Sequence, residues 1–272
     1  MTTDNTQPSA ADVSGFYDVG TQVLMTIWSE SFHVGYWHDD DDDTPNQQAV
    51  ERMEDELFGR LGVSAGSRVL DVGCGIGTPA FRLARTTGAQ VLGITIDPGE
   101  VELSNRRAAE QGLTGQVEFE HADALALPYP DDSFDAAVAI ESLIHMDRVP
   151  ALREIARVVR PGGAIVISDL LQREELAAAE QAELAKILEA MALTPINTLD
   201  SYRDLVSASG LTLLELADIT PHTHRTGTAM AESAKENYDD LVGRFGDEAV
   251  GVLEHMMNPM METGMLLAVV RS

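Results

Sequence analysis

The chain has 272 residues and a formal net charge of −27, with 45 acidic against 18 basic residues, a field that repels a phosphate backbone and argues against a nucleic-acid partner. A single cysteine, Cys74, excludes an internal disulfide, and no apolar run approaches the roughly 18 residues of a membrane span. The polar first eleven residues are unlike a signal peptide, and a chain of this length buries roughly 75% of its unfolded surface in one core, so the expectation is one domain in the cytoplasm, off the membrane.

In chain order, residues 1–12 have a disordered composition and residues 13–272 read as one domain. Val13 to Trp28 fits helical periodicity in part, interrupted by Gly15 and Gly20, which predicts one or two short helices. Asp39 to Asp43 is five consecutive acids. Without the spacing of a cation-binding loop the run reads as a solvated segment. Thr44-Pro45-Asn46-Gln47 matches a capping box, and Val50, Met53, Leu57, Phe58 and Leu61 line one face of the helix it should start.

From Arg68 to Gly163 short β-branched strands alternate with helices, which predicts an α/β fold: a doubly wound, mainly parallel sheet with its ligand at the carboxyl ends of the strands. Strands are expected near Val69, at Val91 to Ile96, Val117 to Glu120, Ala136 to Ile140 and Ala164 to Ser168. Leu211 to Ile219 and Gly264 to Val270 bring the sheet to seven. Thr78 and Pro79 supply an N-cap and a first helical residue. Asp97 reads equally well as the N-cap of the helix beginning at Pro98 or as a ligand-binding acid. The long connections, about 13–45, 170–200 and 220–262, read as helical lid segments.

The most specific motif is Val-Leu-Asp-Val-Gly-Cys-Gly-Ile-Gly, Val69 to Gly77, a strand that delivers Asp71 into a turn with three glycines. The backbone can turn sharply there and approach a ligand without Cβ interference. A carboxylate at Asp71 suits an amino group better than a pyrophosphate. With His121-Ala122-Asp123-Ala124, Glu141-Ser142-Leu143 after the fourth strand, and Arg160-Pro161-Gly162-Gly163, this turn resembles motif I of class I S-adenosylmethionine (SAM) dependent methyltransferases. The resemblance is nearest to small-molecule O-methyltransferases of bacterial natural-product pathways, of the rebeccamycin sugar type, and more distant to tocopherol and sarcosine methyltransferases.

That resemblance implies SAM as cofactor, S-adenosylhomocysteine as product, and a site built from Tyr17, His33, Asp71, Gly73, Gly75, Gly77, Thr95, Ile96, Asp123, Ala124 and Glu141. Thr95 stands where many relatives place a ribose-binding acid. Methyl transfer to a hydroxyl needs a base, and His145 with Asp169 as its partner are the candidates. Ile144 stands where some relatives carry a second histidine. No metal-ligand set is visible, and His222-x-His224 lacks a third ligand. Met191, Met230, Met256, Met257, Met260, Met261 and Met265 gather in the lids, which fits a bulky, largely apolar small-molecule substrate. The alternatives are C-methylation of a prenyl or aromatic acceptor, or a SAM-binding cyclase or regulatory module on the same fold. Whether the chain pairs as a homodimer is open at this point.

Overall fold

The computed structural model describes residues 8–9, 23, 25–173, 176–246, 250 and 264–272. Seven strands form one sheet: β1 (Arg68–Val72), β2 (Gln90–Thr95), β3 (Val117–His121), β4 (Ala136–Ile140), β5 (Ala164–Leu171), β6 (Thr212–Asp218) and β7 (Gly264–Arg271), in the order β3-β2-β1-β4-β5-β7-β6. The first five run parallel, and β7 is antiparallel to both of its neighbours, β5 and β6. The doubly wound sheet read from the sequence is present.

The strands are nearly continuous apolar runs because helices cover both faces. Successive residues point to opposite faces: Val69, Val138 and Val166 pack on α1 (Asn46–Leu61) and α2 (Thr78–Thr87), whereas Leu70, Ala137 and Ile167 pack on α4 (Arg148–Val158) and α6 (Leu199–Ala208). The apolar stripe on α1, Met53, Leu57, Phe58 and Leu61, is buried in the first of these cores. The long connections contain α5 (Ala178–Ala190), α7 (Thr220–Thr223) and α8 (Arg225–Phe245). The helix α6 was not expected from the sequence.

Two local expectations change, and a third had two alternatives of which the structure takes one. The capping box before α1 does not form: Pro45 is the N-cap, and Thr44 instead hydrogen-bonds Asp42 and Arg52. Gly77, with a left-handed backbone, rather than Thr78, caps α2, and the Thr78 hydroxyl donates to the Glu30 carbonyl. Asp97 takes the capping role of its two alternatives: Oδ1 accepts from Gly99 N–H at 2.6 Å and Glu100 N–H at 3.1 Å at the start of α3 (Pro98–Glu110). The acidic run is ordered by its own side chains, with Asp42 accepting from the backbone of His38 and Thr44 and pairing with Arg52.

β1 is the point at which the sheet reverses its winding, with β2 and β3 on one side and β4 on the other. The chain leaves β1 and β4 toward opposite faces. A crevice opens between them at the carboxyl edge.

Candidate active site

That crevice continues into a cavity of about 770 Å³, walled by the strand ends and roofed by residues 30–34, the turn after α5, α7 and the start of α8. Its floor is set by a close approach. Gly73 has φ +72°, and a Cβ there would stand 2.4 Å from the Ser142 Cβ, so only glycine lets the exits of β1 and β4 touch. Ser142 Oγ donates to the Val72 carbonyl at 2.5 Å, and the amides of Gly73 and Cys74 both donate to Ile94 O at 2.9 Å. The glycine turn is thereby fixed to two other strands.

At one end of the cavity Asp71 is buried, and its Oδ2 has no hydrogen-bond partner within the protein. Burial, then the charge of Glu54, pushes its pKa up to about 7. A buried carboxyl that faces a cavity with an unpartnered oxygen fits an amino or other cationic group. Next to it Thr95 Oγ1 donates to Glu100 Oε2 at 2.7 Å, and burial raises the Glu100 pKa. Glu100 is a site residue the sequence reading missed. It lies five residues beyond Thr95 in the first turn of α3, and the N-cap at Asp97 was the signal that would have turned it toward the strand ends. Ile96, Asp123 and Ala124 complete this end; Asp123 is exposed at the rim, and its Oδ1 accepts from Leu125 N–H. The Cys74 thiol is pushed far up by burial, which disfavours a nucleophilic role.

Glu141 has φ +50°, a strained backbone for a non-glycine residue. Its Oε1 accepts from Val34 N–H at 2.9 Å, and burial raises its pKa to about 7. His33 is committed on both sides: Nδ1 to the Val34 carbonyl at 2.9 Å and Nε2 to Glu54 Oε1 at 3.1 Å. Burial opposes its charge, but the Glu54 hydrogen bond and charge outweigh it and hold the pKa above the ordinary value. Through these two contacts His33 fastens the 31–35 segment to α1.

His145 lines the other end, in a 3₁₀ turn at Leu143–His145. Its Nδ1 lies 2.9 Å from the Ala192 carbonyl, which can only accept, so Nδ1 carries the proton and Nε2 the lone pair. Burial lowers its pKa, which favours the neutral ring. Asp169 stands elsewhere than expected: it is fully buried behind the cavity wall and held by Arg148, with Nε to Oδ2 at 2.7 Å and Nη2 to Oδ1 at 3.2 Å. Arg148 was not singled out in the sequence.

Tyr17, Met256, Met257, Met260 and Met261 lie outside the described residues. Met191, Met230 and Met265 line the cavity. His222 stacks on Tyr36 with ring centroids 4.4 Å apart and bonds the Trp37 carbonyl, tying the 36–38 segment to α7. Among the described residues no three His, Cys, Asp or Glu side chains gather as a metal site, and no helix is long and apolar enough to cross a membrane.

The comparisons with known proteins agree with this geometry. Residues 70–167 match the methyltransferase domain family. The chain is 41% identical over 240 residues to the methyltransferase GfsG of Streptomyces halstedii, covering 88% of this chain and 85% of that protein. It is 38% identical over 229 residues to the 27-O-demethylrifamycin SV methyltransferase of Amycolatopsis mediterranei, covering 84% and 83%. Among solved structures, the [4+2]-cyclase SpnF superposes with a TM-score of 0.86 at 30% identity, over 98% of this chain and 97% of that one.

The raised carboxyls predict a pH dependence of stability in the cofactor-free protein. A group whose folded pKa lies above its unfolded value contributes stability below the unfolded value and loses it as pH rises through the folded one. Asp71 and Glu141 therefore lose their contributions between about pH 4 and 7, and His33 has the same sign. Urea denaturation from pH 5 to 8 should show wild-type stability falling more steeply than that of Asp71→Asn. Parallel curves would contradict the assignment.

Proposed function

Given that the chain belongs to the class I SAM-dependent methyltransferases, we propose that it transfers the methyl group to a hydroxyl of a bulky, largely apolar natural product such as a polyketide, macrolactam or glycoside, with His145 as general base. The observation that carries this reading is the His145 tautomer: a neutral imidazole with its lone pair on Nε2, in the same cavity as the Asp71 and glycine-turn end.

SAM, when bound, supplies an electrophilic methyl on a sulfonium and departs as S-adenosylhomocysteine. In this reading Asp71 receives the amino group of the methionyl moiety, and the open backbone of Gly75 admits its chain. A Cβ on Gly75 would meet only Glu100 Oε1, at 4.0 Å, so the turn faces open space there. Thr95 and Glu100 together take the ribose hydroxyls, which restores the acid missing from the end of β2. Ile96 and Ala124 pack on the adenine, and Asp123 receives its amino group. His33 and Glu141 hold the 31–35 segment over the cofactor.

For the acceptor, positioning and exclusion of water supply much of the rate, because in-line displacement requires oxygen, methyl carbon and sulfur to be collinear. His145 Nε2 would accept the proton of the acceptor hydroxyl as that oxygen becomes methylated. Ile144, Leu170, Met191 and Met265 give the acceptor space an apolar, adaptable wall. The name of the Amycolatopsis relative supports O-methylation of a natural product. The likeness to SpnF supports one competing reading, a cyclase on the same fold, and C-methylation is the other.

Three measurements test the proposal. Calorimetry with S-adenosylhomocysteine should show binding to the native chain and at least about tenfold weaker binding to Gly75→Val, whose β-branched side chain cannot adopt φ +52° without strain. Absence of binding to the native chain would sink the cofactor assignment. With methyl-labelled SAM and a panel of polyketide alcohols and phenols that includes 27-O-demethylrifamycin SV, the product should carry a methoxy group. His145→Ala should lower kcat by about 10² or more with cofactor affinity near native. A new methyl on carbon, or near-normal turnover by His145→Ala, would reject the oxygen acceptor or the base respectively, and cyclisation of an unsaturated acceptor without methyl transfer would favour the cyclase reading.

A further inference from the structure

Arg148, at the start of α4, is 5% exposed, and Asp169 is fully buried. Besides its two bonds to Asp169, Arg148 Nη1 donates to Thr194 Oγ1 at 2.7 Å and to the Pro195 carbonyl at 3.3 Å. Thr194 then ties two segments together: its hydroxyl and its amide both donate to the Ile144 carbonyl, each at 2.7 Å. Ile144 is the residue before His145. Thr194 is two residues after Ala192, whose carbonyl meets His145 Nδ1. Ala192 itself has φ +53°, a backbone that a non-glycine residue holds only when its surroundings impose it. It is the first residue past the C-cap of α5, where its amide bonds the Glu189 carbonyl and that of Leu193 bonds Leu188 O in a left-handed helix end, and the Arg148–Thr194 contacts hold the residues that follow against Ile144.

We propose that Arg148 is a positioning residue for His145: paired with Asp169 and bonded to Thr194, it fixes the turn at 191–195 so that the Ala192 carbonyl holds the proton on Nδ1 and the basic lone pair falls to Nε2. The proposal rests on His145 being the base. It gives Asp169 an indirect role in place of the direct pairing that the sequence suggested. Stability alone does not account for the arrangement, since a buried ion pair loses in desolvation about what it gains in attraction and is commonly replaceable by apolar side chains. A second effect follows from charge. The ionisable groups around the network are Asp169 on β5, Arg148 and Asp147 at the start of α4, Tyr202 on α6 and Glu141 at the exit of β4. Of the two that act on the imidazole, Asp169 raises its pKa and Arg148 lowers it. Burial is the main cause of the lowered pKa, and the two charges of the pair act on the ring in opposite directions. Loss of one partner should move it in the direction of the other.

The test is nitrogen-15 NMR of the imidazoles in the full chain saturated with S-adenosylhomocysteine, with His145 assigned by its disappearance in His145→Gln. The wild type should show the Nδ1–H tautomer, titrating below the ordinary histidine range. Thr194→Val should give a mixture of tautomers. Arg148→Met should shift the titration upward and Asp169→Asn downward, each by about one pH unit, and Arg148→Lys should restore part of the wild-type pattern. If Arg148→Met does not fold, Thr194→Val and Asp169→Asn decide the matter. An Nε2–H tautomer in the wild type, or a tautomer and pKa unmoved by these substitutions, would overturn the proposal. Turnover of His145→Ala separates the two readings: lost turnover with unmoved imidazole signals rejects the positioning role alone, and retained turnover with shifted signals rejects the base alone.

Discussion

The contact between the exits of β1 and β4 is the constraint on which the rest of the site depends. Gly73 allows Ser142 to approach, and the Ser142 hydroxyl closes the gap on the Val72 carbonyl. Asp71 lies two residues before that contact on one strand; Glu141 immediately precedes it and His145 follows by three residues on the other. One short-range packing event thus brings the end that suits a cationic group and the end that holds the His145 imidazole into one cavity. The parallel sheet supplies the framework, because strand ends held by ladders on both sides cannot drift apart without breaking the core on both faces.

Charge is distributed with the same logic. Asp71, Glu100 and Glu141 are carboxyls whose charged forms are disfavoured by burial. Such a set binds a cation more readily than an anion, as an ammonium or sulfonium would restore the charge balance that burial removes. Basic groups near the site are already engaged: His33 with Glu54, Arg148 with Asp169, and Arg173 with Asp218. The cavity is therefore electrostatically suited to a cationic cofactor and an uncharged acceptor.

Much of this was legible in the sequence, for a physical reason. The strand-Asp-glycine turn is local: Asp71, Gly73, Gly75 and Gly77 are neighbours in the chain, and their backbone requirements are written in residue type. His145 was legible as a titratable group placed just past a strand end. What the sequence did not disclose were interactions closed over long separations. The partner of Asp169 lies 21 residues away, and the carbonyl that orients His145 lies 47 residues away. Backbone carbonyls carry no sequence signal, and α6, with a short amphipathic pattern after a Pro-Ile-Asn segment, gave no cue strong enough to be expected. Capping boxes are local as well, yet the Thr44 hydroxyl bonds Asp42 two residues back and accepts from Arg52 of α1, so one local pattern gave way to another.

The central claim, that one cavity sets a methyl donor against an oriented base, is tested most directly by a crystal structure of the chain with SAM bound. The account predicts the methionyl amino group at Asp71 and the methyl directed toward His145. A single oxygen position should then lie about 3–3.5 Å from the methyl carbon and within about 2.6–3.2 Å of Nε2. A methyl group facing away from His145, or an Nε2 turned out of the cavity with Nδ1 released from Ala192, would contradict it.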